Sequence, residues 1–100
     1  MNVQFDFSGR HVMVFGGTTG INLGIAQHYA MAGARVSVVS RKQANVDAAL
    51  ESLGPGAMGV VADVRDEQAV AAALAQAVQW HGPIDVLVSG AAGNFLVPAD

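Results

Sequence analysis

The spacing of apolar positions changes several times along the chain, and each change marks an element. His11–Phe15 (HVMVF) is a short apolar run ending in a glycine cluster, the pattern of a buried strand. Ile21–Met31 reads as a helix closed by Gly33, with Ala26 and Ala30 on one face, small enough to let the helix approach a sheet closely. Arg35–Ser40 (RVSVVS) is a second strand. Ala44–Leu53 is a second helix, with Val46, Ala49, Leu50 and Leu53 at helical spacing, stopped by Gly54-Pro55-Gly56. Ala57–Ala62 is a third strand. Glu67–His81 is a third helix, capped by Asp66, with a buried stripe of Val70, Ala73, Leu74, Ala77 and Val78. Gly82-Pro83 ends it, and Ile84–Ser89 (IDVLVS) is a fourth strand.

Strand and helix alternating over short connections predict parallel strands joined by right-handed crossovers. The fold class is α/β, a doubly wound βαβαβαβ unit with strands in the order third, second, first, fourth. The fourth strand would then be an exposed apolar edge, open to pairing with another chain. One hundred residues leave room for one domain. Apolar residues make up 52% and charged residues 13%, about half the ~25% of an average soluble domain, which excludes a disordered chain or a highly charged coiled coil. A net charge of −3 with only 5 Lys and Arg offers no footprint for nucleic acid. Without cysteine there is no disulfide, thiol nucleophile or Cys-ligated zinc, which suits a reducing compartment. The start of the chain does not read as a signal peptide. The longest apolar run, Ala69 to Ala75, is far short of the ~18 residues that span a bilayer. No membrane association and a cytoplasmic location are expected.

Chemistry concentrates at the strand ends. Gly16-Gly17-Thr18-Thr19-Gly20-Ile21-Asn22-Leu23-Gly24 lies between a strand and a helix. Glycine lets the backbone turn sharply and approach a ligand, and the helix start offers free N–H groups, so the segment suits a pyrophosphate. A tight turn with no ligand is the alternative. No Gly-Lys-Ser/Thr follows, which excludes a P-loop. Ser40 stands twenty positions after Gly20, about where an acid would hold the ribose of NAD. No acid is there. Arg41 and Lys42 follow instead and suit the 2′-phosphate of NADP, so NADP is the expected cofactor and NAD the less favoured one. His11, His28 and His81 lie far apart in sequence without ligand spacing, and no metal site is expected. Tyr29 and Trp80 read as packing groups, and Asp85 as structural.

These segments resemble the short-chain dehydrogenase/reductase family, whose fold is of the Rossmann type. Gly16-x-x-x-Gly20-Ile21-Asn22 is similar to its Thr-Gly-x-x-x-Gly-Ile-Gly signature. Asp63-Val64-Arg65-Asp66 resembles its Asp-Val-x-Asp segment, and Asp85-Val86-Leu87-Val88-Ser89-Gly90-Ala91-Ala92-Gly93 its Asp-Val-Leu-Val-Asn-Asn-Ala-Gly segment. The chain departs from the family pattern at Phe15 (usually Thr), Asn22 (usually Gly) and Ser89-Gly90 (usually two Asn). Thr19 stands where many NADP-using members carry a cation. The resemblance implies a cofactor site of Gly16, Thr18, Thr19, Gly20, Ile21, Ser40, Arg41, Lys42, Asp63, Val64, Ser89, Gly90, Ala91 and Ala92. Asp63 would meet the adenine amino group and Val64 its ring. Residues 1–100 would be the dinucleotide-binding portion of a single-domain enzyme that forms homo-oligomers. The family's catalytic Tyr-x-x-x-Lys is absent from this stretch, whose one tyrosine is Tyr29, so residues 1–100 alone are expected to be inactive. Ala91-Ala92-Gly93-Asn94-Phe95 resembles the loop of 2,4-dienoyl-CoA reductases, which implies an acyl-CoA substrate and a role in fatty acid metabolism. 3-Oxoacyl and general carbonyl reductases stay open, as does a non-catalytic dinucleotide-binding redox sensor.

Overall fold

The computed structural model describes residues 6–16, 20–89 and 95–98. The chain runs β1 (His11–Phe15), α1 (Gly20–Met31), β2 (Arg35–Ser40), α2 (Gln43–Leu53), β3 (Met58–Val61), α3 (Glu67–His81), β4 (Val86–Ser89) and β5 (Phe95–Pro98). The strand order is β3-β2-β1-β4-β5. The first four strands are parallel, in the expected order. The expected open edge at β4 is a correction: β5 pairs with it antiparallel, Val86 facing Pro98 and Ser89 facing Phe95. An antiparallel neighbour needs no helical crossover.

β1 explains the two layers. All five of its residues are buried, and successive side chains point to opposite faces. Val12 and Val14 pack with Val36, Val38 and Val88 beneath α1 and α2, where Ala26 and Ala49 are buried against them. Met13 and Phe15 face the other way, joining Val39, Met58 and Ala62 beneath Ala73 and Ala77 of α3. α3 starts at Asp66, whose carboxylate accepts from the Gln68 and Ala69 N–H groups. Val70 and Leu74 pack beside Ala73 and Ala77, whereas Val78 is exposed rather than part of the stripe, and Trp80, 60% exposed, is not the packing group expected. Tyr29 does pack, edge-on against Phe7 at 5.0 Å. Between α1 and α2 the Gln27 amide donates to Ser52 Oγ at 2.7 Å, beside a shallow groove lined also by Ala30, Met31 and Leu53. No helix among the described residues is long and apolar enough to cross a membrane.

The amino end of the sheet is tied by polar groups. His11 N–H donates to the Asp85 carboxylate at 2.8 Å, and Asp85 N–H donates to the His11 carbonyl at 2.9 Å. Asp85 thus precedes β4 and joins it to β1, the structural role expected of it. The His11 ring is fully buried inside the sheet. Its Nδ1 lies 2.9 Å from the Gly82 carbonyl and its Nε2 2.6 Å from Ser37 Oγ. A carbonyl only accepts, so the proton sits on Nδ1 and the Ser37 hydroxyl donates to Nε2. The histidines are not all remote in space: the His11 and His81 rings meet edge-on at 5.2 Å.

Candidate cofactor site at the strand ends

The parallel register brings the carboxyl ends of β1, β2, β3 and β4 to one rim. Phe15 lies beside Val39 on one side and Ser89 on the other, and Ser40 beside Val61. Two backbone bonds extend the ladder past the strands. Gly16 N–H donates to the Val39 carbonyl at 2.7 Å, and Ala62 N–H to the Ser40 carbonyl at 2.9 Å. Gly16, Ser40, Arg41, Lys42, Asp63, Val64 and Ser89 are therefore gathered along the edge where an open α/β sheet binds ligands.

Gly16 and Gly20 have φ of +73° and +60°, a region that side chains disfavour. A Cβ added at Gly20, the first residue of α1, would meet nothing within 4 Å among the described residues. These residues leave space above the helix start, where unpaired N–H groups collect. Ile21, beside it, is 75% exposed. Asn22 tucks its side chain beneath Gly16, with Nδ2 3.6 Å from where a Cβ there would lie. Its Oδ1 is buried and without a hydrogen-bond partner among the described residues. Thr18, Thr19, Gly90, Ala91 and Ala92 lie outside the described residues.

Arg41 and Lys42 are exposed at the end of β2 and form no ion pair among the described residues. Asp63 is engaged differently. Its Oδ1 accepts from Arg65 N–H at 2.9 Å and Arg65 Nε at 3.1 Å, and its Oδ2 accepts from Arg65 Nη2 at 2.8 Å. These hydrogen bonds, together with the nearby charges of Arg65 and Arg41, lower the carboxyl to about 2. Val64 stands exposed next to it. Arg65 is the residue at this rim that reading the sequence missed. The signal was the spacing, since a donor two positions after an aspartate commonly closes a local turn.

A family model described as short chain dehydrogenase matches residues 10–99. The chain belongs to the short-chain dehydrogenase family. Among its relatives, a peroxisomal 2,4-dienoyl-CoA reductase of Arabidopsis thaliana is 34% identical over 95 residues, covering 92% of this chain and 32% of that protein. Dehydrogenase/reductase SDR family member 4 of Oryctolagus cuniculus is 44% identical over 85 residues, covering 82% of this chain and 33% of that protein. The chain thus spans about a third of the length of the curated relatives it matches. Two solved structures are similar. A 3-ketoacyl-(acyl-carrier-protein) reductase from Brucella melitensis, complexed with NADH, superposes with a TM-score of 0.80 at 31% identity, over 83% of this chain and 34% of that one. An actinorhodin polyketide ketoreductase variant with NADPH gives 0.79 at 34% identity, over 88% and 34%. The Rossmann-type reading of the short-chain dehydrogenase sheet therefore holds.

Proposed function

We propose that the protein is an NADP-dependent oxidoreductase that moves a hydride to or from a carbonyl or enoyl group, with an acyl-CoA thioester as the substrate class. The observation that carries the cofactor preference is the end of β2. Ser40 is followed by two cations, Arg41 and Lys42, with no ion-pair partner among the described residues, and no carboxylate stands there to accept from a ribose diol. Among the described residues, the open space above Gly20 fits a bound dinucleotide.

In this reading, the segment from Gly16 through Thr18, Thr19, Gly20 and Ile21 holds the pyrophosphate against the start of α1. Ser40, Arg41 and Lys42 hold the 2′-phosphate, with the planar guanidinium giving paired hydrogen bonds. Asp63 accepts from the adenine amino group with the acceptor position on Oδ2 that Arg65 leaves free, and Val64 packs on the ring. Ser89, Gly90, Ala91 and Ala92 continue the groove along β4. The bound nicotinamide supplies the hydride. The proton is handled by an acid/base pair outside residues 1–100. The acyl-CoA class is supported by the dienoyl-CoA reductases among the relatives and by the Ala91–Phe95 segment.

The test is a titration of the full-chain protein with NADPH and NADH, and of Arg41→Asp with both. NADPH binds more tightly to the unsubstituted protein. Loss of one charge-assisted contact worth ~1.5–3 kcal/mol, plus repulsion, shifts the ratio toward NADH by roughly ten- to hundredfold. An unchanged ratio removes Arg41 from the site. Failure to consume NADPH with any enoyl-CoA or ketoacyl-CoA, while simple ketones are reduced, overturns the substrate class.

A further inference from the structure

Three cations and one carboxylate share the rim between β2 and β3: Arg41, Lys42, Arg65 and Asp63. The Ala62 N–H to Ser40 carbonyl bond holds the two strand ends side by side, so the arginine that follows Ser40 and the aspartate that follows Ala62 are near neighbours. Asp63 feels the charge of two arginines and pairs with only one of them. Arg65 grips Asp63 through its backbone N–H, Nε and Nη2, occupying three of the roughly four acceptor positions of a carboxylate. Arg41 is left without an ion pair among the described residues, although its charge still acts on Asp63.

We propose that Arg65 is a positioning residue for cofactor choice: by holding Asp63 in a local clamp, it keeps the guanidinium of Arg41 available to a phosphate monoester on the adenosine ribose. Without the clamp, Asp63 turns to Arg41. The rim then loses the free guanidinium, because Arg41 takes over the neutralisation of Asp63 that Arg65 had supplied. The loss falls on a ligand carrying the 2′-phosphate and spares one carrying a ribose diol. The inference rests on the NADP reading above and adds a residue that does not itself touch the ligand.

The experiment measures dissociation constants for NADP and NAD by calorimetry on the full-chain protein, on Arg65→Ala, on Asp63→Asn and on the double variant. In Arg65→Ala the NADP-to-NAD preference falls by about tenfold, most of it from weaker NADP binding, as loss of one charge-assisted contact predicts. Asp63→Asn weakens both dinucleotides alike, since it alters the adenine contact they share. In the double variant the preference returns toward its starting value, because no carboxylate is left to capture Arg41. Two results overturn the inference alone: a preference unchanged by Arg65→Ala, or one that falls and is not restored by Asp63→Asn, which would place Arg65 directly on the phosphate. Equal binding of NADP and NAD by the unsubstituted protein overturns the NADP reading itself and this inference with it.

Discussion

Gly20 combines two demands that one side chain cannot meet. Its φ of +60° costs an ordinary residue roughly 1–2 kcal/mol, and a β-branched one more. A Cβ there would also stand in space that the described residues leave open above the start of α1. Gly20→Val should therefore weaken dinucleotide binding by more than about tenfold, because a branched chain keeps a pyrophosphate from the helix N–H groups. Far-UV circular dichroism should change little, since the rest of α1 packs through Ala26 and Leu23. A variant that binds NADPH as the parent does would place the phosphates elsewhere. Asn22 is the companion feature. Its buried, unpartnered Oδ1 follows from filling a position that glycine usually takes with a side chain short enough to fold under Gly16.

Among the elements, β3 and α2 meet most tightly at Gly59. A Cβ at that position would overlap Cγ1 of Val46, which is fully buried, and press on Leu50. Valine in a helix has little freedom to turn away. Gly59→Ala is expected to cost about 1–3 kcal/mol of unfolding free energy, the usual penalty for overpacking. Adding Val46→Ala should return part of that loss, and urea unfolding of the four forms measures the coupling. The same elements show what was legible in the residues. β1, β2 and α3 have the predicted bounds: β1 and α3 are apolar runs cut off by glycine or proline, and β2 is one that stops at the two cations Arg41 and Lys42. α2 begins one residue early, at Gln43, since no side chain caps it and only the backbone pattern sets its start. β5 was not foreseen. Four residues beyond a glycine-rich segment carry no periodicity that separates a strand from a loop. At the rim, the glycines and the β2 cations could be picked out as candidates because each type has a chemistry at a strand end, and Asp63 through the family resemblance of its segment. The spacing signalled only the backbone half of the Arg65 clamp; its side-chain bonds to Asp63 had no signal, because a surface arginine ordinarily means nothing by itself.

At the scale of the whole molecule, the sheet has a polar lock at one end and the candidate ligand rim at the other. The lock is pH-sensitive. Burial lowers the His11 pKa below its ordinary 6.5, with the charge of Arg35 acting the same way and the Gly82 carbonyl and Asp85 opposing it. His81 is lowered by burial, then by the charges of His11 and Arg35. Both rings are neutral in the fold and take up protons more readily in the unfolded chain. Their contribution is fully present above pH 6.5 and is lost as pH falls through their lowered folded values. The thermal midpoint should be level between about pH 7 and 8 and fall below about pH 6.5, with His11 adding a slope of at most about 1.4 kcal/mol per pH unit. His81→Gln should flatten part of the decline. A midpoint constant down to pH 5 would mean that both rings accept protons without loss. Asp63 acts separately: the part of its pairing with Arg65 that stabilises the fold disappears only between its ordinary 3.8 and about 2.

The hydrogen bond from His11 Nδ1 to the Gly82 carbonyl has a use beyond holding the sheet together. A ring proton sealed within β1 trades slowly with solvent, so it should give a sharp, long-lived imidazole resonance in proton spectra recorded in water. Ordinary solvent-facing rings lose that signal to exchange. The protein thus carries its own gauge of intactness at the end of the sheet remote from the candidate site. Substitutions at Gly20, Arg41 or Arg65 that disturb only the ligand rim should leave the line in place, and any that open the sheet should erase it.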